Sequence, residues 1–120
     1  VKGEERSHRR LAVWKMAMDF TAELYSITGN FPPHELYGLV SQMRRASVSI
    51  PSNIAEGAAR LGNKEFRHFL NIAQGSISEL DTQIEIAKML GYISDNTHME
   101  LLQKLTSISK MLYGLARTIK

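Results

Sequence analysis

Ser41-Gln42-Met43-Arg44-Arg45-Ala46-Ser47-Val48-Ser49-Ile50-Pro51-Ser52-Asn53-Ile54-Ala55-Glu56-Gly57 is the stretch that decides how this chain folds. Val40, Met43, Ile50 and Ile54 fall at helical spacing, with Ser47 filling the gap in the apolar stripe. Pro51 stands in the middle of that pattern. It lacks an N–H and crowds the carbonyl four residues back, that of Ser47, at a cost of about 3 kcal/mol in an ordinary helix interior. The segment therefore reads as a bent central helix. Its small residues (Ala46, Ser47, Ser49, Ser52, Ala55) would let a second helix or subunit come close to its backbone.

Toward the N-terminus, residues 1–10 are polar and expected to fray. From Leu11 the steps Val13, Ala17, Phe20, Leu24, Ile27 make a bundle-type seam. Gly29 suits a left-handed residue past a helix end, and Phe31-Pro32-Pro33 forbids continuation, which sets helix 1 at about 11–28. Helix 2 restarts near Pro33 or His34, where Glu35 complements the N-terminal dipole, and runs to Arg60-Leu61-Gly62. Sequence leaves open a split of helix 2 at Ser49-Ile50-Pro51. Asn63 is a good N-cap for helix 3, whose seam reads Phe66, Phe69/Leu70, Ala73, Ile77, Leu80, Ile84, Ala87. Gly91 supplies its stop. Helix 4 is capped by Ser94 or by Thr97 with Glu100 as a capping box, and repeats through Leu101, Leu105, Ile108, Leu112, Leu115 and Ile119. Four amphipathic helices with short connections and no strand pattern predict an all-α, antiparallel up-down-up-down four-helix bundle with a proline-kinked second helix. The domain is expected over 11–120, after a polar segment 1–10.

The chain has 120 residues, 43% of them apolar and 22% charged, enough for one domain with a real core. Without cysteine it has no disulfide or thiolate chemistry, and its use fits a reducing cytoplasm. No stretch reaches the ~20 apolar residues of a membrane span. The first residues are polar, unlike a signal peptide, and the missing initiator methionine leaves processing or truncation open. Net charge is only +3, but it is segmented: residues 1–15 carry +3, 16–40 −3, 41–70 +3, 71–100 −4 and 101–120 +4. Such blocks suggest a basic surface, or else merely differing solvated faces.

Catalytic chemistry finds little support. Glu65-Phe66-Arg67-His68 is a single Glu-x-x-His, whereas a di-iron bundle needs two, plus a glutamate from each of two other helices. His8, His34 and His98 lie in termini or connections without metal-ligand spacing. No Gly-x-Ser-x-Gly elbow or phosphate loop is present, and Trp14, Tyr25, Tyr37 and Tyr92 read as core or subunit contacts before base-stacking platforms. The expectation is a non-enzyme without cofactor or metal. What remains is basic: Arg44 and Arg45 in helix 2, then Arg60, Lys64 and Arg67 around the start of helix 3. Cations at a helix N-terminus run against its macrodipole by about 0.3–1 kcal/mol each, a local violation that hints at function. Such a cluster suits phosphates, bound in a salt-dependent and largely sequence-independent way. The competing reading pairs Arg44 or Arg45 with a carboxylate such as Glu56 or Glu79 in a subunit contact.

Several strings carry a family resemblance: Leu11-Ala12-Val13-Trp14-Lys15-Met16-Ala17-Met18-Asp19, Phe31-Pro32, Leu36-Tyr37-Gly38-Leu39, Gln42-Met43-Arg44-Arg45-Ala46 and, most specific, Ser49-Ile50-Pro51-Ser52-Asn53-Ile54-Ala55-Glu56-Gly57. Further matches are Lys64-Glu65-Phe66, Phe69-Leu70, Ala73, Gly75-Ser76, Glu79-Leu80, Thr82-Gln83 and Gly91-Tyr92-Ile93. Over about 11–119 the chain resembles the four-helix-bundle proteins encoded within intervening sequences of bacterial 23S ribosomal RNA genes, the S23-like family. The resemblance implies a cytoplasmic bundle that assembles into a ring, a homopentamer. More distantly it implies kinship with accessory proteins of diversity-generating retroelements, basic barrels that bind nucleic acid and a reverse transcriptase. The expected function is binding of nucleic acid, RNA ahead of DNA, through Arg44, Arg45, Arg60, Lys64 and Arg67, with Lys15 and then Arg9 and Arg10 adding to a basic ring surface. The alternative is a protein-interaction scaffold whose arginines serve subunit assembly.

Overall fold

The computed structural model describes residues 7–119. It contains four helices, α1 (Ala12–Thr28), α2 (Leu39–Ala58), α3 (Asn63–Met89) and α4 (Asp95–Thr118), in an up-down-up-down bundle measuring 44 × 30 × 22 Å. One-turn 3-10 segments, Ser7–Arg10 and Pro33–Glu35, precede α1 and α2. Each helix buries the face its periodicity marks. Val13, Ala17, Phe20 and Leu24 of α1 meet Val40, Met43, Ile50 and Ile54 of α2, with Leu70, Ala73, Leu80 and Ile84 of α3 and Leu101, Leu105, Ile108 and Leu112 of α4 closing the same core. Every seam is apolar at helical period, so burial of these stripes against one another drives the assembly of the helices.

The Pro51 problem has a tertiary solution. α2 is one unbroken helix through the proline, not two. The Ser47 carbonyl that Pro51 leaves without its helical partner lies 3.1 Å from the Thr21 hydroxyl of α1, which also sits 2.9 Å from the Ala17 carbonyl. A buried acceptor that would otherwise be unsatisfied thus has a donor from the neighbouring helix. Close approach on the other side of α2 involves Gly57, where an added Cβ would stand 2.9 Å from Phe66 Cδ1 and 2.9 Å from Phe69 Cβ. Higher up, the Ser49 and Ser76 hydroxyls meet at 2.7 Å. Ser47, Ser49 and Gly57 of α2 therefore serve contacts inside the chain.

Four local expectations change. The chain after Phe31 does not enter α2 directly: Pro33–Glu35 form a separate 3-10 turn, and α2 starts at Leu39. Glu35 still serves that terminus, its carboxylate accepting from the Leu39 N–H at 3.1 Å. Gly29 is right-handed (φ −61°), because its N–H continues the helical pattern to the Tyr25 carbonyl; the left-handed glycine is Gly91 (φ 77°). Asn63 is the first residue of α3, with Gly62 in the cap position and no side-chain cap there. Of the two candidate caps for α4, Ser94 is the one used, accepting from the Thr97 N–H at 3.1 Å, so that expectation stands. The polar segment is also ordered from Ser7, whose hydroxyl donates to the Ala58 carbonyl at 3.4 Å, while residues 1–6 of that expectation lie outside the described residues.

Candidate nucleic-acid interface

Antiparallel packing sorts the charge blocks. The start of α1, the end of α2, the start of α3 and the end of α4 share one end of the bundle, as the Ser7–Ala58 and Arg67–Ile119 hydrogen bonds show. That end collects Arg9, Arg10, Lys15, Arg60, Lys64, Arg67 and Arg117, and among the described residues only Glu56 and Glu65 oppose them. The other half holds Glu23, Glu35, Glu79, Asp81, Glu85, Asp95 and Glu100. Blocks that alternate along the sequence become two poles because each helix reverses direction.

The predicted cations divide. Lys15, Arg60, Lys64 and Arg67 come together at the basic end. Arg44 and Arg45 do not: fifteen residues of helix, roughly 20 Å at 1.5 Å per residue, separate them from Arg60. Arg44 is committed to the C-terminus of α1. Its Nε donates to Thr28 Oγ1 at 3.0 Å, its Nη2 to the Tyr25 carbonyl at 3.2 Å, and its guanidinium lies 4.5 Å over the Tyr25 ring. Arg67 does the same for α4, donating from Nη1 to the Ile119 carbonyl at 2.7 Å. Both arginines look misplaced at the start of their own helices, yet each complements the C-terminal carbonyls of an antiparallel neighbour. The macrodipole violation read from helix 3 is thus partly a capping contact.

Arg60 pairs with Glu56 at 2.6 Å and lies 5.0 Å over the Phe69 ring. Lys15, Lys64 and Arg117 are exposed and have no ion-pair partner among the described residues. Arg117 joins them from the last turn of α4, where the only sequence signal is the +4 of residues 101–120. Trp14 is half-buried as a platform for the 3-10 turn: His8 meets it edge-on at 5.0 Å and the Arg9 guanidinium lies 5.5 Å over it. That contact holds the first basic residues against the end of the bundle.

The described residues bring together no group of three His, Asp or Glu side chains able to hold a metal ion. His68 is exposed and packs edge-on against Phe69 at 5.5 Å. No described helix is long and apolar enough to cross a membrane.

The family model of the 23S rRNA-intervening sequence protein matches residues 9–114. The chain belongs to this family. Its bundle resembles the crystal structure of a protein of unknown function from the S23 ribosomal protein family of Bacteroides thetaiotaomicron, with a TM-score of 0.79 and 22% identity over 88% of this chain and 98% of that one. At that identity the likeness establishes the fold. No curated protein matches the sequence. The match spans residues from both charge poles, and Arg117 lies just beyond it.

Proposed function

We propose that this member of the 23S rRNA-intervening sequence family acts by binding rather than catalysis, holding the phosphate backbone of nucleic acid against its basic end. The observation that carries the reading is the convergence of cations from four separate chain segments on one end of the bundle, with Lys15, Lys64 and Arg117 facing solvent unpaired. Phosphates would partner the cations that Glu56 and Glu65 leave unneutralised, and each one bound would release counterions. Structured RNA is the first candidate, ahead of duplex DNA, because the family is named for an intervening sequence of ribosomal RNA. Arg60 and Arg67 border the surface while anchored within the chain, and Arg45 lies outside it. The working form is a symmetric cytoplasmic oligomer, a pentamer on the family resemblance, which multiplies weak contacts into avidity. A reverse-transcriptase-type partner follows only from the distant resemblance and plays no part in this reading.

A second reading, a scaffold whose arginines serve assembly, is favoured by exposed apolar side chains such as Tyr37, 92% exposed, and Met89, 83% exposed. Binding of nuclease-treated protein to labelled structured RNA and duplex DNA across a salt series, with mass measured on the same sample, separates the two. Steeply salt-dependent binding by an intact oligomer supports the first; an assembled protein that binds neither at low salt supports the second.

A further inference from the structure

We infer that the trough between α1 and α2 receives the outer ridge of α3 from a second copy of this chain, so that copies join head to tail about an axis parallel to the bundle. The inference rests on the oligomeric part of the reading above and names the surfaces that would make it. Three hollows of about 250, 470 and 340 Å³ lie along the α1–α2 face, each sharing lining residues with the next. They extend from Phe31 and Leu36 past Tyr25 and Val48 to Trp14. The charged residues lining them are Arg44 and Arg45, and none is a carboxylate. A two-fold contact of this trough with itself would set arginine against arginine, which argues for an unlike partner surface.

α3 presents that surface. Ile72, Gly75, Glu79, Thr82, Ile86 and Met89 recur at alternating steps of three and four, all exposed, and form a ridge of the kind that seats between two helices. Glu79, at its middle, has no partner among the described residues. The ridge is about 26 Å long, and the trough from Trp14 to Thr28 about 21 Å, at 1.5 Å per residue.

Register makes the match specific. The Ser49–Ser76 contact fixes α2 against α3, and equal steps away from it along the two antiparallel helices bring Ala46, next to Arg45, to the level of Glu79. A closed ring about an axis parallel to the bundle has no rise from copy to copy. The neighbour's Glu79 therefore arrives one residue, about 1.5 Å of rise, from the level of this chain's Arg45, within reach of a long side chain. On the same register Ile72 reaches the level of Asn53, next to Ser52 in the hollow that Met18 and Pro51 also line, and Ile86 that of Leu39, beside Leu36 and Tyr37. Apolar side chains meet apolar hollows above and below one charge pair. All the basic ends then share one rim of the ring.

The chain has no cysteine, which allows a direct test. M18C and I72C chains are prepared separately, mixed, allowed to exchange and mildly oxidised, with mass and circular dichroism recorded first. The expected product is a disulfide-linked pair of unlike chains, absent from either variant alone. In parallel, R45E or E79R alone weakens assembly about 10-fold, and the R45E/E79R chain regains it. M18C linking to itself, or an assembled mixture that does not link and ignores both charge reversals, overturns these surfaces while leaving the oligomer standing. A wild-type protein that is monomeric at every concentration removes the oligomer and this inference together.

Discussion

The two ends of the bundle have the same helix termini, two starts and two finishes each, and opposite charge. Helix macrodipoles nearly cancel at both ends, so neither cluster is a correction to a dipole. At the end that holds the α1–α2 and α3–α4 connections, ionic side chains are tied to one another. Tyr92 donates to Glu35 at 2.8 Å and packs on Phe31 with ring centroids 5.1 Å apart, Lys104 reaches Glu23 at 2.6 Å, and His98 meets Glu85. The opposite end leaves Lys15, Lys64 and Arg117 without such partners. One end is a clasp that closes the fold, and the other holds charge that the fold itself does not use.

The sharpest way to break this contrast is to reverse the unpaired cations. Lys15→Glu, Lys64→Glu and Arg117→Glu together should lower RNA affinity on the order of 10²-fold at moderate salt and flatten the slope of log affinity against log salt, while melting temperature stays near wild type. Reversal of the clasped Lys104 should leave affinity within about three-fold. Equal losses from both would mean that net charge, not the basic end, governs binding.

Next in size is Gly57→Ala, which places a Cβ 2.9 Å from Phe66 and Phe69 where α2 meets α3 beneath the basic end. Overpacking of this kind should cost about 1–3 kcal/mol in denaturant titration. Thr21→Val should cost about 1–2 kcal/mol, since it leaves the Ser47 carbonyl beside Pro51 without its donor. Thr21→Ser, which keeps the hydroxyl, should recover most of that loss.

The smallest effect sharpens the clasp. The Tyr92 hydroxyl, then the Leu39 N–H, hold the Glu35 carboxyl below its ordinary value of 4.5. Its contribution is complete above that value and is lost as pH falls through the lowered one. Melting temperature should therefore decline more steeply on acidification in wild type than in Glu35→Gln, and Tyr92→Phe should share the shallower decline. At the alkaline side the same bond raises the Tyr92 phenol above 10.0, so its contribution fades only beyond that.

Much of this was legible along the chain. The seams around Phe20, Ile50, Leu80 and Ile108 named the core, because burial follows helical period whatever the neighbours are. Helix ends were harder. Gly29 and Asn63 carry the residue types of caps, but the φ of the first and the position of the second depend on backbone hydrogen bonds that composition does not specify. In the candidate site Lys15, Arg60, Lys64 and Arg67 fall at one end of the bundle. Arg44 and Arg45 were grouped with them by sequence proximity, although the length of α2 carries them toward the opposite pole.

By itself the sequence determined the helices, the single core and the alternation of charge, since periodicity and composition are local properties. Only the tertiary structure decided what that alternation means. Reversal of direction at each turn adds blocks far apart in sequence into two poles, and it sets Arg44 and Arg67 against the C-termini of other helices. It also brings the Thr21 hydroxyl to the carbonyl that Pro51 strands. Each of these depends on which residues stand at the same height on neighbouring helices, and that is fixed by packing rather than by any stretch read alone.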